Sequence, residues 1–215
     1  MSHFLSKASM KYLAGTLFIA LFFFSGCSQK EPLPVFVETK IEKDDSKKRS
    51  EIVQQALKHL HKKDGGDCSG FVSLVNKETL EPFFETKALQ EYYEDARRSL
   101  AIYNLLEAEQ RLHWEDKPKL GDLIFFANTV KKYTKSNISD NITHIGIVTK
   151  IEADGTVQFI HHTKGKNMIG YLNTNYPDTA VSNGKILNSY MEKCPPKEGF
   201  KCLAPRYFSA YGVIR

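Results

Sequence analysis

The sequence contains only four cysteines among 215 residues, and no two of them have the Cys-x-x-Cys spacing. No pair of histidines has the His-x-x-x-His spacing. The first absence argues against a structural zinc site and against a thioredoxin-like dithiol, and the second removes a common zinc-binding pattern. The cysteines and histidines must therefore be interpreted one at a time.

The chain also lacks internal repeats, and neither sign of charge dominates it. The formal net charge is +5, the apolar content is 41% and the charged content is 26%. These are the proportions of a globular chain, and the length allows one domain with extensions. The mild positive charge suits an anionic surface but gives no argument for a nucleic-acid partner.

The N-terminal apolar run is too short to span a bilayer comfortably. It extends from Tyr12 to Phe24 and follows Lys7 and Lys11, which predicts an export signal over residues 1–26. Ser25 and Gly26 precede Cys27, as in a lipoprotein processing site. An uncleaved anchor and a plain secretory signal are the alternatives.

The predicted export signal indicates what the other cysteines do and how the chain continues after residue 26. A lipidated Cys27 followed by Ser28 rather than Asp implies an anchor in the outer membrane, facing the periplasm. In that oxidising compartment Cys194 and Cys202 most simply form a disulfide, and two free thiols are the alternative. Residues 27–49 carry prolines and a charged run, which predicts a flexible tether before a domain over 50–215.

The central stretch of the domain is Asp-Cys-Ser-Gly-Phe-Val at 67–72. Asp67 is a good N-cap, and the apolar residues after it recur at helical spacing. Cys68 therefore lies in the first turn of a helix, where free N–H groups favour a thiolate. A small buried cysteine is the ordinary interpretation, but two downstream histidines favour a nucleophile.

Further helices and strands are predicted around this stretch. Ser50 caps an amphipathic helix, and the apolar rhythm over 86–113 predicts a long helical stretch. Strands are predicted over 122–127, 143–151 and 156–162, and again over 207–214. Asp154-Gly155 is a hairpin signal between the second and third of these strands. A polar loop covers 128–141, and the rest of 163–206 lacks a regular pattern.

The hairpin brings histidines onto adjacent strands. His144 begins an apolar strand and is the candidate base for Cys68, and the two could rest as imidazolium and thiolate. Strand alternation places His161 on the more apolar face with Phe159, and His162 on the other face. We therefore expect His161 to orient His144.

Four motifs in this order resemble the NlpC-type cysteine peptidases over roughly residues 50–165. They are the stretch at Cys68, Gly121-Asp122-Leu123-Ile124-Phe125-Phe126, His144-Ile145-Gly146-Ile147-Val148, and Phe159-Ile160-His161. The resemblance implies a papain-like α+β fold with Cys68, His144 and His161 as the catalytic residues. It implies a peptidoglycan stem peptide as substrate, typically the bond from D-glutamate to the diamino acid, and no metal or cofactor.

One feature departs from that family. The family has a tyrosine about a dozen residues before the nucleophile that helps to bind the oxyanion, and Ala56 stands at that spacing here. Either a histidine takes this role, with His61 as the candidate and Asp67 as an auxiliary, or the Cys68 backbone N–H acts with another donor. A surface histidine is the ordinary interpretation of His61.

Several other functions stay open. A glycan–peptide amidase would use the same Cys-His core, and the missing tyrosine also fits a non-catalytic, lipid-anchored protein that binds peptidoglycan. A zinc site formed by Cys68 with His59, His61, His144 and His161 has no spacing to support it. A thiol oxidoreductase lacks a partner cysteine near Cys68.

Overall fold

A computed structural model of the protein describes residues 40–94, 96–114, 117–130, 141–192 and 200–215, with side chains from Asp44 onward. The predicted export signal, Cys27 and Cys194 lie outside these residues. Among the helices of the described ranges, none is long and apolar enough to cross a membrane. All described residues belong to one compact unit, Glu38–Arg215.

The secondary structure consists of three α-helices, eight strands and short 3₁₀ helices within the described ranges. The α-helices are α1 (Lys40–Lys58), α2 (Cys68–Glu78) and α3 (Arg98–Ala108), and 3₁₀ helices cover Ala88–Tyr92 and Ala204–Arg206. The strands are β1 (Leu112–His113), β2 (Leu123–Ala127), β3 (Ile142–Ile151), β4 (Val157–Thr163), β5 (Lys166–Leu172), β6 (Val181–Ser182), β7 (Lys185–Ile186) and β8 (Phe208–Gly212).

Six strands form one antiparallel sheet in the order β1-β8-β2-β3-β4-β5. The helices pack on one face of it, where the core includes Phe71, Val72, Ile145, Ile147 and Ile160. The other face is covered by a second cluster that includes Phe126, Phe159 and Tyr211. This arrangement confirms the predicted papain-like α+β fold. It also explains why every side chain of β2 is apolar and buried.

The first helix begins earlier than the sequence predicted. It starts at Lys40, so Ser50 lies inside it and the predicted cap at Ser50 was wrong. The charged residues that we assigned to the tether up to 49 are helical from Lys40 onward. Arg49 in this segment attaches α1 to the sheet, because its buried guanidinium donates to Asp122 Oδ1 at 2.7 Å and to the Ile214 carbonyl at 2.6 Å.

The helical stretch predicted over 86–113 is broken. A 3₁₀ helix ends at Tyr92, and α3 begins only at Arg98. Between them Ala96 adopts a left-handed backbone with φ of +56°, and Arg97 is extended. A continuous helix was therefore wrong, and the break lets Arg97 donate to Asn141 Oδ1 and to the Ile142 carbonyl.

The predicted strands are confirmed, but the short strands β1, β6 and β7 and the longer strand β5 were missed. The hairpin turn at Asp154-Gly155 forms, with Gly155 at a φ of +83°, and the last strand is the shorter β8. The irregular pattern predicted after 163 was wrong for residues 166–172, which form β5 against β4. Lys164 and Gly165 make the tight turn between these two strands with φ of +51° and +76°.

Replacing Arg49 tests the buried connection between α1 and the sheet. Asp122 is 1% exposed, and Arg49→Ala would leave its carboxylate without the guanidinium. We expect the free energy of unfolding to fall by about 3–5 kcal/mol, as for other broken buried ion pairs. Urea denaturation of each variant measures this free energy of unfolding. The exposed neighbour Lys47→Ala is the matched control and should stay within about 0.5 kcal/mol of wild type; an equally small loss for Arg49→Ala would contradict the account.

Candidate active site

The start of α2 is fixed by the predicted cap. Asp67 is extended, and its Oδ1 accepts hydrogen bonds from the Gly70 N–H at 2.6 Å and from Ser69 Oγ at 2.8 Å. The predicted N-cap is therefore confirmed. Because Cys68 is the next residue, this cap places its side chain in the first helical turn, close to the free N–H groups of the helix.

A fully buried amide holds the loop that leads to Cys68. Asn167 on β5 donates from Nδ2 to the His59 carbonyl at 3.0 Å and to the Asp64 carbonyl at 3.2 Å. Its Oδ1 lies 2.9 Å from His162 Nδ1. Since both donors of the amide are directed at carbonyls, His162 Nδ1–H is the donor to Oδ1. Asn167 thus connects this loop to the strand that carries His161.

The environment of Cys68 favours the protonated thiol in the free protein. Burial raises the pKa of Cys68 to about 11, and the negative charge of Asp67 acts in the same direction. Backbone hydrogen bonds from Ile145, Ser69 and Cys68 itself oppose this rise by favouring the thiolate. Burial is the larger influence.

His144 and His161 form a hydrogen-bonded pair. Antiparallel pairing of β3 and β4 brings His144 Nε2 within 2.6 Å of His161 Nδ1. The two rings are nearly perpendicular, and His161 also contacts the Phe159 ring. When His144 Nε2–H donates to His161, Nδ1 of His144 is left as a proton acceptor. Gly146 allows β3 and β4 to approach closely here, because a Cβ would lie 2.8 Å from the Ile160 carbonyl oxygen and 3.3 Å from His161 Cβ.

Both imidazoles are held in their neutral form. Burial lowers the pKa of His144 to about 4, and a charge on His162 would lower it further. Burial, followed by a charge on His144, also lowers the pKa of His161 well below its ordinary value. These directions favour a thiol and neutral imidazoles in the free site. They do not favour the resting thiolate–imidazolium pair that we considered from the sequence, which stays a prediction.

Cys68 and His144 line one open cleft of about 590 Å³. The starts of α2, α3 and β3 and the turn between β4 and β5 surround it. His161 lies behind His144 and is 5% exposed. His162, which we expected to face away and to be either hydrogen-bonded or idle, is hydrogen-bonded to Asn167 and also lines the cleft. Neither His162 nor the cleft residues of α3 were predicted, because no local pattern places them beside Cys68.

The two upstream histidines lie elsewhere. His61 is exposed in a left-handed turn and is not among the described residues that line the cleft. The structure therefore gives no support to His61 as the replacement for the tyrosine, and Asp67 acts there as the helix cap. His59 is buried between Asp64 Oδ2 at 2.7 Å and Glu78 Oε2 at 2.8 Å. Burial opposes its charge, yet these two carboxylates raise the pKa of His59.

Within the described ranges, no group of three or more His, Cys, Asp or Glu side chains could hold a metal ion. The described residues therefore provide no grouping for the zinc alternative. Cys68 is a free cysteine, whereas Cys202 is buried and Cys194 lies outside the described residues.

A cysteine at a helix start beside a histidine pair on an antiparallel sheet is the arrangement of the papain-like class of proteins. A sequence model of the NlpC/P60 family matches residues 58–185, which is more than half of the chain. The chain therefore belongs to the NlpC/P60 family, which confirms the resemblance carried by its four motifs. Members are generally cysteine peptidases or amidases that act on peptidoglycan. No curated protein and no solved structure matches the chain.

The raised pKa of Cys68 predicts slow alkylation at neutral pH. Because only the thiolate reacts, the rate of iodoacetamide modification should rise about tenfold per pH unit between pH 7 and 9 without a plateau. Peptide mass mapping assigns the modification to Cys68. A short unstructured peptide with one cysteine serves as the reference in the same buffers, and its rate begins to level off near the ordinary thiol pKa, about 8.5. A plateau for Cys68 below pH 8 would show a resting ion pair instead.

Proposed function

We propose that the protein is a peptidoglycan hydrolase that cleaves an amide bond of the stem peptide with Cys68 as its nucleophile. The observation that carries this proposal is that Cys68 lines the same cleft as His144, whose ring is hydrogen-bonded to His161. Family membership supports peptidoglycan as the substrate class. We propose the bond between D-glutamate and the diamino acid, on the family resemblance alone.

The chemistry begins from the neutral pair. His144 Nδ1 accepts the proton of the Cys68 thiol as the sulfur attacks the carbonyl carbon of the scissile amide. The carbonyl electrons move onto oxygen and form a tetrahedral oxyanion. Since burial favours the neutral pair, the thiol proton moves to His144 as the sulfur attacks rather than before it.

The intermediate then collapses to a thioester. His144 returns its proton to the leaving amine nitrogen as the carbon–nitrogen bond breaks. Water, deprotonated by the same imidazole, attacks the thioester and releases the carboxylic acid and the Cys68 thiol. His161 holds the ring of His144 in the required orientation throughout, and is a positioning residue.

The oxyanion donors differ from the family pattern. Ala56 is fully buried in the core, so its position cannot provide a hydrogen-bond donor to the cleft. The backbone N–H of Cys68 lies at the start of α2 and is one donor for the oxyanion. This missing tyrosine is the specific observation that favours the second candidate, a non-catalytic protein that binds peptidoglycan.

Digestion of purified peptidoglycan tests the proposal. Wild-type protein in detergent should release fragments whose masses identify the bond, and Cys68→Ala should release none. His144→Ala should reduce the rate by about 10²–10⁴-fold, the usual contribution of a general base. His161→Asn should retain more activity than His161→Ala, because an amide can still hold His144.

The matched control is His61→Ala, which removes an exposed imidazole and should leave the rate unchanged. Equal release by Cys68→Ala and wild type would exclude the thiol mechanism. Binding without release by the wild type would favour the non-catalytic candidate.

We also propose that the mature protein is lipid-anchored at Cys27 in the outer membrane, with its domain in the periplasm and a disulfide between Cys194 and Cys202. The sequence pattern before Cys27 and the periplasmic redox state support this. The mass of the purified protein should show a lipidated Cys27 at the N-terminus and two hydrogens fewer than the reduced form. Unmodified protein that retains residues 1–26 would contradict the anchor.

A further inference from the structure

The cleft at Cys68 is lined by more positive than negative charge. Among its described residues, Arg97, Arg98 and Lys164 are cationic, and Asp67 is the carboxylate. The Asp67 carboxylate is already engaged, since its Oδ1 caps α2 through Gly70 and Ser69. A ligand in this cleft therefore meets an excess of positive charge close to the nucleophile.

The three cations differ in what holds them. Arg97 is half-buried and bonds to Asn141 Oδ1 and to the Ile142 carbonyl, so it connects α3 to β3. Arg98 is exposed, and within the described residues its hydrogen bond is from Nε to Tyr93 Oη at 3.4 Å. Lys164 is also exposed and forms no hydrogen bond or ion pair with the described side chains and backbone.

Both exposed cations lie near the reacting groups. The charge of Arg98 acts on the Asp67 carboxylate, which precedes Cys68, and the charge of Lys164 acts on the His161 imidazole. Arg98 comes from the start of α3 and Lys164 from the turn between β4 and β5. Two separate elements thus present a cation to one cleft.

The backbone that carries Lys164 favours a different residue. Lys164 and Gly165 form a two-residue turn in which both φ angles are positive, and Thr163 pairs with Lys166. Asn, Asp or Gly is preferred at the first position of such a turn, and lysine is disfavoured there. Backbone strain of this kind is concentrated at functional sites, which favours a role for the ammonium group.

We propose that Arg98 and Lys164 bind carboxylates of the substrate that flank the scissile amide, and so select peptides in which these carboxylates are free rather than amidated. The proposal rests on the proposed function and specifies which stem peptides the site accepts. A guanidinium at Arg98 can hold a carboxylate through two N–H groups, whereas Lys164 acts as a single charge. Replacing these carboxylates by primary amides would remove their negative charge and weaken both contacts.

The test compares hydrolysis of two synthetic peptides that contain a γ-D-glutamyl–diamino acid bond. One peptide has free carboxylates beside this bond, and in the other they are primary amides.

The variants Arg98→Gln and Lys164→Asn are compared with wild type. Asparagine at 164 removes the charge and suits the left-handed turn, so folding is preserved. On the free-carboxylate peptide each variant should raise KM about twofold to fivefold with little change in kcat, as expected for exposed charge pairs. On the amidated peptide neither variant should differ from wild type.

Two controls separate charge recognition from a structural effect. Lys166→Gln removes an exposed charge from the same hairpin outside the cleft, and should match wild type on both peptides. Arg98→Lys keeps the positive charge, so its KM on the free-carboxylate peptide should lie between those of Arg98→Gln and wild type. Equal losses on both peptides, or no change in KM for either variant, would overturn the proposal.

A binding measurement distinguishes failure of carboxylate recognition from failure of the proposed hydrolase function. Calorimetry of each peptide with Cys68→Ala protein measures affinity without reaction. If wild type does not hydrolyse either peptide but Arg98→Gln and Lys164→Asn still weaken binding of the free-carboxylate peptide, the proposed function fails and carboxylate recognition stands. If neither peptide binds, or both bind equally well, carboxylate recognition is overturned.

Discussion

The pairing of β3 with β4 brings together the two histidines of the candidate active site. Ile147 lies opposite Ile160 in this pair, and His144 and His161 then approach within one hydrogen bond. Because side chains alternate along a strand, a shift of one residue would move His161 to the other face and bring His162 in its place. The short turn at Asp154-Gly155 and the buried apolar side chains on both faces hold the register. The histidine pair is therefore a consequence of strand register as much as of sequence motif.

The position of Cys68 depends on a second set of buried polar contacts. Arg49 and Asp122 hold α1 to the sheet, and Asn167 holds the loop before Cys68 to β5. Each of these groups is buried and satisfied, so each has a defined geometry and a high cost of removal. The Asp122 of the Gly-Asp-Leu motif thus has a structural role here, because it accepts from Arg49 and from two backbone N–H groups.

The sequence predicts the parts of the site that are determined locally. The cap at Asp67, the β3–β4 hairpin and the preference for His161 over His162 follow from capping chemistry, turn residues and alternation. The position of Arg49 inside α1 does not follow from a local pattern, because its partners Asp122 and Ile214 are distant in sequence. The break before α3 has no glycine or proline to mark it, and depends on the left-handed Ala96. Arg98 and Lys164 meet at the cleft only through the tertiary fold.

The central claim is that Cys68 forms a thioester with the acyl part of its substrate. The most direct measurement is the intact mass of the protein after it is mixed with soluble stem-peptide fragments and quenched in acid within milliseconds to seconds. The account predicts a transient mass increase equal to the acyl fragment, located on the peptide that contains Cys68 and absent from Cys68→Ala. Hydrolysis that proceeds in Cys68→Ala, with no adduct on Cys68 of the wild type at any time, would contradict it.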